Sequence, residues 1–148
     1  MRISAKGRYG LAAMTHLALN YKAGMPITII SISEKMGISK IYLEQVFSLL
    51  KRSALVKSSK GAQGGYQLAM APAEISAFQV LAAIETSLME ATAATVQDTE
   101  PLLENTMGKL VFQQLDECVK ASLSQVSLED LVQDVESQKN PEQLMYFI

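Results

Sequence analysis

Glu44 and Gln45 stand side by side in the run Lys40-Ile41-Tyr42-Leu43-Glu44-Gln45, and their side chains can read the edge of a nucleobase. A carboxylate only accepts hydrogen bonds and suits an exocyclic amine such as cytosine N4. A carboxamide both gives and takes, and suits adenine N6 and N7. Lys51, Arg52, Lys57 and Lys60 follow, cations of the kind that neutralise phosphate. A Glu-Gln pair on a helix is ordinarily just a solvated surface, so its weight depends on context. Residues 1–73 carry ten Lys/Arg against two Asp/Glu, while residues 74–148 carry three against thirteen. The formal net charge of −2 hides this division. A basic half attracts polyanions and an acidic half is repelled by them. The chain therefore reads as a nucleic-acid-binding part joined to a part that faces away from phosphate.

The elements that position these residues are legible from caps and apolar spacing. Ser4 is a helix cap, and Leu11, Met14, Leu17, Ala18 and Tyr21 recur at helical intervals as far as Gly24 and Pro26. Thr28 caps a short helix, Ile29–Met36, stopped by Gly37. Ser39 caps the next, Lys40–Arg52, whose Leu43, Val46, Phe47 and Leu50 form one apolar stripe and leave Lys40, Ile41, Tyr42, Glu44 and Gln45 near its start. Helix, tight turn and helix is the pattern whose second member enters the major groove. Leu55–Ser58 and Tyr66–Ala69 have strand character, and the Gly-rich stretch 59–65 between them makes a hairpin, a wing bearing Lys57 and Lys60. Neither nucleotide-binding glycine spacing is present there, so a phosphate-cradling loop for a nucleotide is the weaker reading.

The acidic half begins with a helix from Ala77 to Glu85, capped by Ser76. Residues 86–100 lack periodicity and read as a loop. A long helix spans Pro101–Leu123, with Leu103, Met107, Leu110, Val111, Leu115, Cys118 and Val119 as a broad apolar face. Ser127 caps a last helix expected to end near Val135. A polar stretch, Ser137–Glu142, then leads to the apolar end Leu144-Met145-Tyr146-Phe147-Ile148. With 148 residues, 49% apolar and 19% charged, the chain suits a mostly α fold with some apolar surface covered by a partner subunit. No apolar run reaches the roughly 20 residues of a membrane span. The start, Met1–Lys6, has no signal-peptide core, and a single cysteine fits a cytoplasmic location.

Other residues that could do chemistry have duller readings. Cys118 lies among apolar neighbours and reads as a core or interface thiol before a redox sensor. His16, the one histidine, shares the less apolar side of its helix with Tyr9, Ala13 and Asn20 and reads as solvated or interfacial. Glu85 and Glu90 have no His or Lys beside them and read as solvated acids, not a catalytic pair. No nucleophile, base or cofactor motif supports an enzyme.

The segment Ser39–Phe47, followed by Leu55-Val56 and the Gly61, Gly64, Gly65, Tyr66 wing and preceded by Ser4-Ala5-Lys6-Gly7-Arg8-Tyr9, resembles the Rrf-type winged-helix regulators. The likeness covers the first 85 residues in order. It implies a winged helix-turn-helix domain over 1–85, a loop over 86–100, and a dimerisation helix, short helix and tail over 101–148. It further implies a homodimer that represses transcription from a partly palindromic double-stranded operator. Tyr42, Glu44 and Gln45 are then expected in the major groove, and Arg2, Ser4, Lys6, Arg8 and Tyr9 near phosphates. Thr28, Ser39, Lys40, Ile41, Lys51, Arg52, Lys57, Lys60, Gly61 and Gly64 complete the expected DNA-facing set. Lys60 stands where relatives often place arginine, which keeps the charge but loses the planar fork.

Cluster-binding relatives place three close cysteines within 86–108, where this chain has none, so no iron–sulfur cofactor is expected. The resemblance is then nearest to the CymR-like cysteine-metabolism repressors of the family. Cysteine synthase captures partners by a C-terminal Ile, so Tyr146, Phe147 and Ile148 are a candidate docking tail for that enzyme. An interaction protein acting mainly through this tail is the alternative reading.

Overall fold

The computed structural model describes residues 3–62 and 64–142. Helix α1 (Ala5–Leu19) is the hub, packed by α3 (Lys40–Arg52), α4 (Ala77–Ile84), α7 (Leu128–Lys139) and the second strand of the wing. The side-chain oxygens of Ser4, Thr28, Ser39, Ser76 and Ser127 each accept from the backbone N–H three residues on. Each such cap is worth about 1 kcal/mol and defines where a helix begins. Helix α2 (Ile29–Met36) ends at Gly37 in the left-handed conformation (φ 67°), and α3 starts three residues later. Strands β1 (Val56–Ser59) and β2 (Gly65–Leu68) pair antiparallel, with Val56 opposite Leu68 and Ser59 opposite Gly65. The fold is mostly α with this one small hairpin among the described residues.

Met14, Ile32, Leu43, Val46, Phe47, Leu50, Ile75, Val80 and Leu128 are fully buried in one core. Leu128 belongs to α7, so the chain returns after its long helix to complete the core of the first half. Backbone bonds fasten that return: Ala77 N–H donates to Val126 O at 2.7 Å, and Leu128 N–H to Ile75 O at 2.9 Å. Helix α7 runs to Lys139, four residues beyond the expected end near Val135. Polar partners one turn apart carry it through the stretch that looked non-helical: Gln138 Nε2 donates to Asp134 at 2.6 Å, and Lys139 lies 3.7 Å from Glu136.

Residues 85–100 hold neither helix nor strand, and Val96 N–H donates to the Glu104 carboxylate at 3.0 Å, tying the loop to the helix that follows. That helix is interrupted. Helix α5 (Pro101–Met107) passes through one π turn (Gly108–Phe112) into α6 (Gln113–Ser124). Gly108 opens the wider turn, where a glycine's poor helix propensity makes the usual bonding pattern easiest to give up. No helix among the described residues is long and apolar enough to cross a membrane.

Candidate nucleic-acid interface

The first turn of α3 begins at the Ser39 cap, whose hydroxyl accepts from Tyr42 N–H at 3.1 Å. Outward from it stand Lys40, Ile41, Glu44 and Gln45, all exposed, while Leu43, Val46, Phe47 and Leu50 face the core. Lys40 Nζ lies 3.9 Å from the Glu44 carboxylate, with both side chains more than half exposed, a contact worth little to stability. Tyr42 is half-buried and its ring meets Tyr9 edge-on, centroids 5.3 Å apart. That pair holds α1 against α3, so Tyr9 and Tyr42 have a packing task beyond any contact with a ligand.

The wing is fastened to α3 at two points. Lys51 Nζ donates to Ser58 Oγ at 2.8 Å, and Tyr66 packs on Phe47 with centroids 4.5 Å apart. A third attachment joins β2 to the segment before α2, where Ile27 and Tyr66 exchange backbone hydrogen bonds of 2.9 and 2.8 Å. Gly65 makes this possible. Its φ is 146°, and a Cβ there would collide with the Ile27 backbone. Arg52, Lys57, Lys60 and Gly61 are exposed and Gly64 is half-buried. Thr28 serves as the α2 cap, 3.1 Å from Ser31 N–H. Arg2 lies outside the described residues.

At the start of α1, half-buried Lys6 lines a depression with Ile41, Glu44, Gln45, Ser48 and Leu49, while exposed Arg8 lines a separate groove with Lys35 and Asp134. Lys6 of α1 and the polar face of α3 therefore meet on one surface. Sequence reasoning missed what holds them there. Ser4 donates its N–H and its hydroxyl to the same Glu85 oxygen, at 2.7 and 2.6 Å. Glu85, read above as a solvated acid, thus anchors the entry to α1 across 81 positions of sequence. Gly7 and Gly10 leave room for Glu85 and Ile84, which a Cβ at either position would strike. No local signal marks such a pairing.

His16 corrects a second expectation. It is buried, 7% exposed, and its pKa is lowered by burial and by the nearby Lys35 charge. Helix α1 is covered on several sides: of the face that looked less apolar, Ala13 and His16 are buried, while Tyr9 and Asn20 at its two ends stay exposed.

The long helix shows the opposite state. Neither α5, the π turn nor α6 has a buried residue, and Leu103, Leu110, Val111, Leu115 and Cys118 are exposed, with Met107 and Val119 half-buried. Cys118 is thus not in the core of the single chain. Leu102 and Phe112, absent from the expected set, are exposed on it too. Among the described residues the long helix packs on the helical body mainly through the far end of α6, where Lys120 sits 5.8 Å from the Phe78 ring. Tyr146, Phe147 and Ile148 lie outside the described residues.

A helix-turn-helix with an outward polar face, followed by a glycine-permitted hairpin strapped beside it, defines the winged helix-turn-helix class of DNA-binding proteins. Within that class the chain belongs to the Rrf2 family, whose model, described as an iron-dependent transcriptional regulator, matches residues 3–134. It is 36% identical over 136 residues to the HTH-type transcriptional regulator IscR of Photorhabdus laumondii, covering 92% of this chain and 82% of that one. Among solved structures it is similar to CymR, the global cysteine regulator of B. subtilis, with 34% identity and a TM-score of 0.73, covering 90% of this chain and 97% of that one. IscR of T. potens matches with 32% identity and a TM-score of 0.72, covering 93% and 90%. The chain is a DNA-binding transcriptional regulator and not an enzyme.

The family's association with iron does not extend to a thiolate-held cluster on these residues. The donors between 86 and 108 are the carboxylates Glu90, Asp98, Glu100 and Glu104, with no cysteine or histidine. Among the described residues no three His, Cys, Asp or Glu side chains converge as a metal site. Cys118 stands alone on α6.

Proposed function

We propose that this protein acts as a homodimer that represses transcription from a partly palindromic operator, with α3 in the major groove and the wing beside it. The observation that carries the dimer is the uncovered apolar face of α5 and α6, from Leu102 at 82% exposure to Leu115 at 55%. A stripe of that extent on a single chain costs free energy unless a like surface covers it. Two reading heads on paired stalks match two half-sites, which is why a dimer calls for an operator with two-fold symmetry. Phosphate contacts from Lys6, Arg8, Lys51, Arg52, Lys57 and Lys60 supply salt-sensitive affinity, and Glu44 and Gln45 supply base choice.

The missing cluster ligands favour a CymR-like role in sulfur and cysteine metabolism over iron–sulfur sensing. Docking of cysteine synthase by Tyr146, Phe147 and Ile148 rests on sequence alone; deletion of Ile148 with unchanged affinity for the enzyme discards it. The main test is selection from a random duplex pool by wild type and Glu44→Ala, with the mass of each complex measured. The expected result is two chains per duplex, an inverted repeat, and relaxed preference at one position per half-site in the variant. A one-chain complex, or identical preferences, refutes the reading.

A further inference from the structure

We infer that Ile41 is a specificity residue that reads the 5-methyl group of a thymine in the major groove. This rests on the proposed placement of α3 and adds a base identity to it. The other apolar side chains of α3 are occupied: Leu43, Val46, Phe47 and Leu50 are fully buried and Leu49 is half-buried. Ile41 is 71% exposed. Single exposed isoleucines are ordinary, and Ile30 on α2 is another, so exposure alone decides nothing. Company does. Glu44 and Gln45 lie three and four residues on, hence on the same helix face, and the three residues line one open depression with Lys6.

An isoleucine among base-reading groups has a narrow choice of partner. It has no donor or acceptor, and the one apolar group that a base pair shows in the major groove is the thymine methyl. Against a purine edge its methyls would strip water from N7, O6 or N6 without replacing the hydrogen bond, a net penalty. Being β-branched at the start of a helix, it does nothing for α3 that alanine would not do better. A helix rises about 1.5 Å per residue, so Ile41 and Glu44 are offset by about 4.5 Å, near the roughly 3.4 Å step between bases. The thymine therefore belongs in the pair next to the one that Glu44 faces.

The test titrates the full chain against its selected duplex while each thymine in turn is replaced by uracil, which deletes only the methyl group. One position per half-site is expected to lose roughly three- to tenfold in affinity, the scale of one buried methyl group. Ile41→Ala, with an unchanged melting curve, is expected to bind the thymine and uracil duplexes equally. Specific binding that ignores uracil everywhere, or equal losses in wild type and Ile41→Ala, overturns the assignment and leaves the placement of α3 standing. Failure to bind any duplex at low salt overturns both.

Discussion

The winged unit and the long helix are built from the same material, amphipathic helices with leucine-rich stripes, and end in opposite states. In the winged unit α1, α3, α4 and α7 bury Met14, Phe47, Val80 and Leu128 against one another, and polar faces are left outside. Along α5, the π turn and α6, Leu103, Leu110, Val111 and Leu115 stay in the open. The difference lies in what each stripe can reach. Short loops and the strap at Ile75–Leu128 fold the first set of helices together. The long helix leads away from them and touches the body mainly at its far end. One region is a finished fold; the other leaves its apolar face uncovered, the face that the proposed second copy would cover.

Four measurements sharpen or break that contrast. Phe47→Ala removes the largest fully buried side chain among the described residues and one face of the Tyr66 contact, and is expected to cost about 3–5 kcal/mol in chemical denaturation. A loss near zero would mean that the winged unit is not the cohesive body. Leu110→Asp acts on the other side of the comparison. On the proposed pairing it yields a folded single chain by sedimentation, with operator affinity reduced on the order of 100-fold as bivalency is lost. A dimer of unchanged affinity would move the interface elsewhere.

Ala54 has φ 58° in the exposed turn between α3 and the wing. Alanine pays a steric penalty there that glycine avoids, so Ala54→Gly is expected to raise stability by about 0.5–1 kcal/mol. A loss of that size would show that the turn's rigidity matters more than its strain. The smallest effect concerns His16, whose pKa is lowered by burial and then by Lys35. Between its lowered folded value and the ordinary 6.5 the unfolded chain binds more protons, so stability is present above 6.5 and falls as pH drops toward the folded value. Melting temperature should decline with acidification through that window, and His16→Gln should flatten the decline.

Local chemistry was readable where it acts over one turn. The caps at Ser4, Thr28, Ser39, Ser76 and Ser127, the stop at Gly37 and the apolar stripe of α3 all follow from side chains bonding backbone groups three residues away. Errors cluster where distant parts meet. His16 was misplaced because its surroundings come from elements apart in sequence, Lys35 of α2 among them. Glu85 was misread because its partner is Ser4. The π turn at Gly108 escaped notice because apolar spacing cannot reveal one extra residue per turn.

Residue types alone settled that a basic, helix-turn-helix-bearing half precedes an acidic one, because charge and helix periodicity are properties of neighbours along a chain. Which side chains were left facing outward was a matter for the tertiary structure. Leu43 and Leu110 are both stripe residues on helices, yet the first is buried and the second exposed, while His16 disappears inside. Burial is decided by what packs against a face, and that is set by the path of the whole backbone, not by the residues of the face itself.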